Sequence, residues 1–506
     1  MRLLRAMSAL GALMLSSCAT SALDMAPPSA AMAWTPAVST SGIIKPGPIA
    51  NGGGTDYVLP PNPALATLSP PPKIDPRHAY TLAELINIAE SGNPETRAAW
   101  DQARQSALAA GIAESTYLPQ ITASVVGAYQ DGNAHSSGPG FDVSGDGEAH
   151  GAISAVSLNW LLFDFGERTA TVEAAKQLSA ISDIGFTAAH QQLIYNVSLA
   201  FYAYAAARAR VVAAKKSLQN AEDVQAAAEA RYAHGIGTII DVDQAAQATA
   251  QAKLITVQAS GGVQDAYLAL LTAMGISPLT KINVATPPLR PLSPALDEPV
   301  EEIVAEALER RPDMLSAYAA EQASLANVQA ARAEFLPKLF LSATGAYSSG
   351  GLNVTAIPAI GQQPGTVNLS GTHLGGTILA GVTVPLYDGG IRAAALAQAE
   401  AGADSAGAAL AKARDEAARQ VVSAANEVRT SLAAYSAAQT LAAAAQTSYD
   451  AALAAYRNGV GSATAAMLGE TQLLQARQAA TDAYSAALSA AATFAFTTGA
   501  LGDAPE

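Results

Sequence analysis

Six histidines, one cysteine and the carboxylates of a chain with net charge −14 are the side chains here that could do chemistry. The histidines stand at 78, 135, 150, 190, 234 and 373, without the short spacings by which a helix or turn offers ligands to one metal ion. No phosphate loop, nucleophile elbow or dinucleotide fingerprint occurs. The residues therefore predict no catalytic centre, metal or cofactor. The negative charge also argues against nucleic acid, whose binders need a basic stripe to displace phosphate counterions. The sharpest local pattern is a polar group after a glycine turn, Gly235-Ile236-Gly237 followed by Thr238-Ile239-Ile240-Asp241-Val242-Asp243. Thr238 and Asp241 have the spacing of a capping box at a helix start, where a carboxylate is stabilised by roughly 0.3–1 kcal/mol. Asp243 reads as solvated.

The cysteine has a different context. Arg2 and Arg5, an apolar run from Met7 to Leu15, and Leu15-Ser16-Ser17-Cys18 read as a signal peptide over residues 1–17. Leu-Ser-Ser-Cys resembles the bacterial lipobox, which would make Cys18 a lipid attachment site; an ordinary signal peptide with an incidental cysteine is the alternative. One cysteine excludes a disulfide within the chain. Ala19 stands where an aspartate would retain such a lipoprotein in the inner membrane. Residues 18–79, rich in Pro, Ala, Ser and Gly, read as an extended arm behind that anchor.

The elements that must position the glycine turn come in duplicate. Pro94, Tyr117-Leu118-Pro119 and Gly127-Ala128-Tyr129 recur as Pro312, Phe335-Leu336-Pro337 and Gly345-Ala346-Tyr347, all at an offset of 218. Asp164-Phe165-Gly166 recurs as Asp388-Gly389-Gly390, and Tyr232-Ala233-His234-Gly235 as Tyr456-Arg457-Asn458-Gly459, now at 224. The second copy thus holds six more residues between its strands. Each half reads helix, strand, loop, strand, very long helix, glycine turn, helix. The first repeat spans 80–277 and the second 300–498, with a proline-rich linker at 278–299 and an acidic tail at 499–506.

Within the first repeat, a helix opening at Thr81 is expected to run to near Tyr117. Strands follow at 119–130 and about 149–163, around an exposed Asp131–Gly147 loop; in the second repeat they fall at 337–348 and 372–387, around Ser349–Gly371. Arg168–His234 and Arg392–Asn458 lack proline and predict helices of about 100 Å, with Asp164 and Asp388 placed to cap them. Heptad-like steps (Ile194, Val197, Phe201, Tyr204, Val211, Leu218; Val421, Ala425, Val428, Leu432, Tyr435) predict coiled-coil seams.

The strands alternate over the length of a tilted transmembrane strand, about 9–11 residues. Such strands also build soluble sandwiches. The export signal favours a membrane, as do the aromatics at the helix–strand junctions, Tyr117, Trp160, Phe163, Phe335 and Tyr387. Four strands cannot close a barrel, and lipid tolerates no open edge. Several chains must then share one barrel.

In register and in duplicate, these marks resemble the TolC-like outer-membrane efflux family over about residues 80–500. The resemblance implies an α+β membrane protein and a homotrimer. Four strands per chain would form one twelve-stranded outer-membrane β-barrel, continued by a long α-helical coiled-coil tunnel in the periplasm. It implies a passive duct, with no enzyme activity, that exports drugs or other small molecules. Its partners would be a periplasmic adaptor (membrane fusion) protein, an inner-membrane pump of RND, ABC or MFS type, and outer-membrane lipid. It assigns Asp241, Tyr456 and Tyr232 to a periplasmic gate, and Gly235, Ile236, Gly237, Gly459, Val460 and Gly461 to adaptor-docking tips. For Asp241 the gate and the helix cap are compatible readings. Ala465, Leu468 and Gly461 depart from the charged residues of many members, so the acidic constriction is expected to be thinner. Gly54-Thr55-Asp56-Tyr57-Val58-Leu59-Pro60 is a late, incomplete version of the motif that often follows the lipidated cysteine. Two alternatives stand: the same duct in type I protein secretion, and, from another class, a coiled-coil envelope lipoprotein acting as a spacer. A spacer has no use for two hairpins at matched positions.

Overall fold

The computed structural model describes residues 74–138, 141–286, 299–350 and 373–501, with short stretches among 26–72 and 353–370. The signal peptide, Cys18, most of the arm, most of the linker and the last five residues lie outside the described residues. The chain divides into two compact units. The smaller holds Met1–Ile74 and Ile276–Thr280. Its described part contains an antiparallel pairing of Ala37–Val38 with Ile44–Lys45, and a turn at Pro63–Leu65 capped by Asn62.

The larger unit carries the duplication. It begins with α1 (Leu82–Gly92) and α2 (Pro94–Ser115), which the sequence suggests as one helix. They are separate because Pro94 drives Asn93 out of the helical region, to φ −72° and ψ 129°. Asn93 caps the new start, its side chain accepting from Glu95 N at 2.7 Å. Strands β1 (Gln120–Gly138) and β2 (Phe141–Phe163) follow, then α3 (Glu167–Ala233) and α4 (Ile239–Ala273). The second repeat gives α5 (Val300–Arg310), α6 (Pro312–Ala333), β3 (Lys338–Gly350), β4 (His373–Thr383), α7 (Ile391–Arg457) and α8 (Ala463–Thr497). Both α3 and α7 contain 67 residues, and both α4 and α8 contain 35.

The four strands form one antiparallel sheet in the order β4-β3-β2-β1. Its outer strands, β1 and β4, have no strand partner on their far sides among the described residues. Two expectations are corrected here. The ladder of β1 and β2 continues to Gly138 opposite Phe141, so the described part of the stretch expected as a loop, 131–138 and 141–147, is paired backbone. Main-chain ladders are indifferent to side-chain polarity, and a hairpin wetted on both faces can carry small polar residues throughout. The last strand ends at Thr383 rather than 387, because Pro385 has no N–H to give a ladder. The stretch expected as the second loop, Ser349–Gly371, also holds paired pieces, Asn353–Ala356 with Val367–Ser370 and Ala359–Ile360 with Gln363–Pro364.

The turn from sheet into helix is fastened by one buried ion pair. Asp164 accepts from the backbone N–H of Arg168 at 3.0 Å and from its Nε at 2.7 Å. Arg168 Nη1 donates to Leu161 O at 2.7 Å and Thr116 O at 3.0 Å, and the guanidinium lies over Tyr117. One side chain thereby ties the end of α2, the end of β2 and the start of α3. Burial works against the charged form of Asp164. The Arg168 guanidinium and backbone N–H groups outweigh it and hold the carboxyl below its ordinary value. Asp388 and Arg392 repeat the pair in the second half, in a more exposed setting.

Below that junction, α3 packs beside α2, α6, α4 and α8, while α7 packs beside α6 and α8. Of the expected seam residues, Ile194, Val197, Phe201, Val421, Ala425 and Val428 are buried, while Tyr204, Val211, Leu218, Leu432 and Tyr435 are half-buried. Alanines such as Ala214, Ala228, Ala245 and Ala466 are fully buried between helices, which permits the close approach of neighbouring backbones. No helix among the described residues is long and apolar enough to cross a membrane.

The paired helix tips as candidate gate and docking site

Each long helix ends in the same turn. At the first tip, Gly235 N–H donates to Tyr232 O and Ile236 N–H to Arg231 O. At the second, Gly459 N–H donates to Tyr456 O and Val460 N–H to Ala455 O. This is a Schellman ending, which needs a left-handed residue after the cap. Gly235 (φ 72°) and Gly459 (φ 82°) supply it. Gly237 and Gly461 are required for another reason. A Cβ on Gly461 would sit 3.0 Å from Ala455 Cβ and Tyr456 N, and Gly237 is equally crowded by Tyr232 and Arg231. The apolar tip residues point outward, Ile236 being 65% and Val460 84% exposed.

Beyond the first turn, Thr238 and Asp241 close the expected capping box: Asp241 Oδ2 accepts from Thr238 N at 3.2 Å, and Thr238 Oγ1 accepts from Asp241 N at 3.2 Å. In the second copy Ser462 accepts from Ala465 N, and no acid completes the box.

Of the three residues assigned to a gate, the structure brings Asp241 and Tyr456 near one another and leaves Tyr232 apart. Tyr456 is 2% exposed, packed with Val224, Ala228, Ala245, Ala463 and Ala466, and its hydroxyl has no hydrogen-bond partner among the described residues. Burial, then the charge of Asp241, raise its pKa, against the opposing pull of Arg231. Tyr232, its counterpart in the repeat, is 50% exposed.

Two features escape sequence reasoning. The first is Arg231. Its Nη1 donates to Tyr456 O and its Nη2 to Ile236 O, both at 3.2 Å, with the guanidinium 5.2 Å from the Tyr456 ring centre. It therefore links the first tip to the second. The only signal was an arginine immediately before the Tyr-x-x-Gly motif. The second is a buried polar cluster above the tips, drawn from three helices: Ser217 on α3, Tyr449 on α7 and Glu470 on α8. Ser217 Oγ, Tyr449 OH and Glu470 Oε1 are all buried without a hydrogen-bond partner of good geometry among the described residues. Burial pushes the Glu470 carboxyl up, while the neighbouring Ser217 hydroxyl and Arg477 draw it partly back. Burial, then Glu470 and Asp223, push the Tyr449 hydroxyl up to about 12. An acid in an otherwise alanine-rich helix was the available signal.

Among the described residues the chain is a four-stranded sheet with both edges unpaired, continued by two equal helical hairpins with matched tips. The chain belongs to the outer membrane efflux protein family, whose profile matches residues 85–276 and 303–500. Protein CyaE of Bordetella pertussis is 28% identical over 327 residues, covering 65% of this chain and 64% of that protein. The pyoverdine export outer membrane protein OpmQ of Pseudomonas aeruginosa is 29% identical over 267 residues, covering 53% and 56%. The chain thus spans somewhat over half the length of these relatives. In fold it is similar to the outer membrane protein VceC of Vibrio cholerae, with a TM-score of 0.70 at 20% identity over 84% of this chain and 97% of that one.

Proposed function

We propose that the protein is a passive, trimeric exit duct of the outer membrane. The observation that carries this reading is the sheet whose edges, β1 and β4, are both open among the described residues. In lipid those edges must be paired, and three copies would give a closed twelve-stranded barrel. The helices would continue the duct into the periplasm, with a lipid on Cys18 as a second attachment to the outer membrane. Transport energy would come from an inner-membrane pump through a periplasmic adaptor seated on Ile236 and Val460. The turns there present small apolar side chains outward on a rigid backbone, as an end-on helical partner requires. Asp241, Tyr456 and Tyr232 would surround the closed end. Export of small molecules is favoured by the likeness to a pyoverdine export protein. The test is the mass of the purified protein in mild detergent together with its conductance in a planar bilayer. A trimer with discrete channel events is expected; a monomer whose hairpins are open to protease would sink the duct.

A further inference from the structure

Glu470 lies on α8 where the second hairpin packs on α3 of the first. It meets two hydroxyls there, Ser217 of α3 and Tyr449 of α7. All three residues are more than nine-tenths buried, and each keeps a polar atom without a hydrogen-bond partner among the described residues. The duplication does not repeat the group, because the positions 224 away hold Ala246, Leu441 and Gln225. A helical hairpin can be built without it. The charged groups around it all reach water. Asp223 on α3 pairs with Arg457 on α7 at 3.9 Å, Asp450 lies on α7 and Arg477 on α8, and each is half-buried or exposed. Lys215 and Lys216 beside Ser217 are exposed, as are Asp243 and Lys253, which flank Ala245 where α4 joins the bundle. Burial, then Glu470 and Asp223, push the Tyr449 hydroxyl up to about 12. Of the three buried side chains, only Glu470 can change charge between pH 4 and pH 8.

The contacts of α8 show which seam would yield. Gly469 lets it close on α7, where a Cβ would lie 3.4 Å from Tyr449 Cα, and Arg477 donates to Gln446 across the same pair. Against α3 it is tied higher up, by Asp482 with Arg210, by Ser485 donating to Tyr202 O, and by Phe496 stacked on Tyr195. Below those ties stand Ser217 and Glu470. We infer that Glu470 is a proton-operated latch between the two hairpins of one chain: protonated it holds α8 against α3, and ionised it lets that seam part. As an acid, its O–H can donate to a neighbouring hydroxyl, and the site stays buried and neutral. As a carboxylate it is a buried charge whose neighbour Arg477 is engaged with Gln446, and water entering the seam relieves it. Burial raises the pKa of Glu470 above the ordinary value of 4.5, against Ser217 and Arg477, so the shut seam keeps a proton that a parted one gives up. The shut seam has its full advantage below the ordinary value and loses it as pH rises through the raised one. On the duct reading, on which this consequence rests, acid surroundings keep the duct shut and neutral pH leaves it ready for a partner.

Two measurements on the whole protein test this. Single channels in a planar bilayer at pH 4 and pH 8 read the duct. The open fraction of the wild type should rise about tenfold at pH 8, as a tenfold difference in proton affinity between shut and parted seams requires. Glu470→Gln should hold its acid level at both. Thiol labelling reads the seam itself. Ala221 is buried on the same face of α3, between Ser217 and Val224. In a Cys18→Ser background, Ala221→Cys should react with a water-soluble maleimide at pH 8 about tenfold faster with Glu470 in place than with Glu470→Gln. Equal labelling rates overturn the latch. So does a wild-type open fraction that ignores pH, or a rise that persists in Glu470→Gln. If the protein forms no channel at either pH, the duct reading fails, and the labelling ratio alone then decides the latch.

Discussion

Glu470→Gln should make the protein more stable at neutral pH. The carboxyl is 8% exposed, one of its oxygens is buried and unpartnered, and burial holds its pKa above the ordinary value of 4.5. At low pH the acid is neutral in both folded and unfolded chains, so replacing it by the isosteric amide changes little. As pH rises past the ordinary value, the unfolded chain releases the proton while the folded one retains it, and stability falls until the raised folded value is passed. Above that, the folded protein holds a buried, incompletely solvated charge that glutamine lacks. A buried unsatisfied polar group costs about 1–3 kcal/mol; the proximity of Ser217 and Arg477 places this one toward the lower end. The corresponding change in unfolding equilibrium is about 5- to 150-fold. The assay is thermal unfolding of wild type and Glu470→Gln in the same detergent at pH 4 and pH 8. The curves should nearly coincide at pH 4 and separate at pH 8, with the variant more stable. A variant less stable at pH 8 would show that the carboxylate is ionised and properly paired with Arg477, and a difference independent of pH would show that the carboxyl titrates alike in folded and unfolded chains.

Asp164→Asn leaves the half-buried Arg168 without its carboxylate and should cost about 1–3 kcal/mol, lowering the yield of assembled protein. Asp388→Asn, at the exposed counterpart, should cost under about 1 kcal/mol. Because the folded pKa of Asp164 is depressed, its contribution is present above the ordinary carboxylate value and lost as pH falls through the folded one; thermal melts of both variants at pH 7 and pH 3 check this. Val460→Glu should block export while leaving assembly and surface level normal, measured by substrate retention and cell-surface labelling. It is a better probe than Gly461→Glu, which would crowd Tyr456 and disturb the turn itself. Asp241→Ala removes half of a capping box and should cost about 1 kcal/mol; a rise in basal conductance besides would make it a gate residue, and unchanged conductance and ion preference would leave it a cap. Cys18→Ser should abolish lipid labelling yet leave the protein in the membrane fraction, since a barrel anchors far more strongly than one lipid group; a fully soluble variant would contradict the barrel.

Much of the fold was legible because it is periodic. A fixed offset between Tyr232 and Tyr456, together with the absence of proline from two long stretches, sufficed to define equal helices, and the boundaries found differ by one residue. Turn chemistry was legible for the same reason: a capping box is a local pattern, and Thr238 with Asp241 forms one. What failed was either a competition between local rules or a contact with a distant partner. Pro94 could have started, kinked or ended a helix, and only the capping bond from Asn93 shows that it starts one. Glycine and serine between Asp131 and Gly147 suggested a loop, yet a hairpin outside an apolar layer has no need of alternating hydrophobicity. Arg231 and Glu470 were missed because their partners lie far away in the chain: Tyr456 is 225 residues from the arginine, and Ser217 is farther still from the glutamate. Periodicity describes what a residue does to its own element. It is silent on which side chain of another element comes to face it.

Equal length in α3 and α7 makes the protein a gauge block. The two 67-residue rods leave the same sheet and must finish level, or the Arg231 bridge to Tyr456 has nothing to reach. Deleting one heptad from a single rod would shorten it by about 10.5 Å and leave its tip recessed beside the other. Deleting it from both rods, and from the returning helices beside them, would give a shorter instrument with a level face. Changes of calibre are therefore free to occur anywhere in the outward hairpins, where the two halves already differ by six residues. Changes of length below the sheet can survive only in matched sets of four.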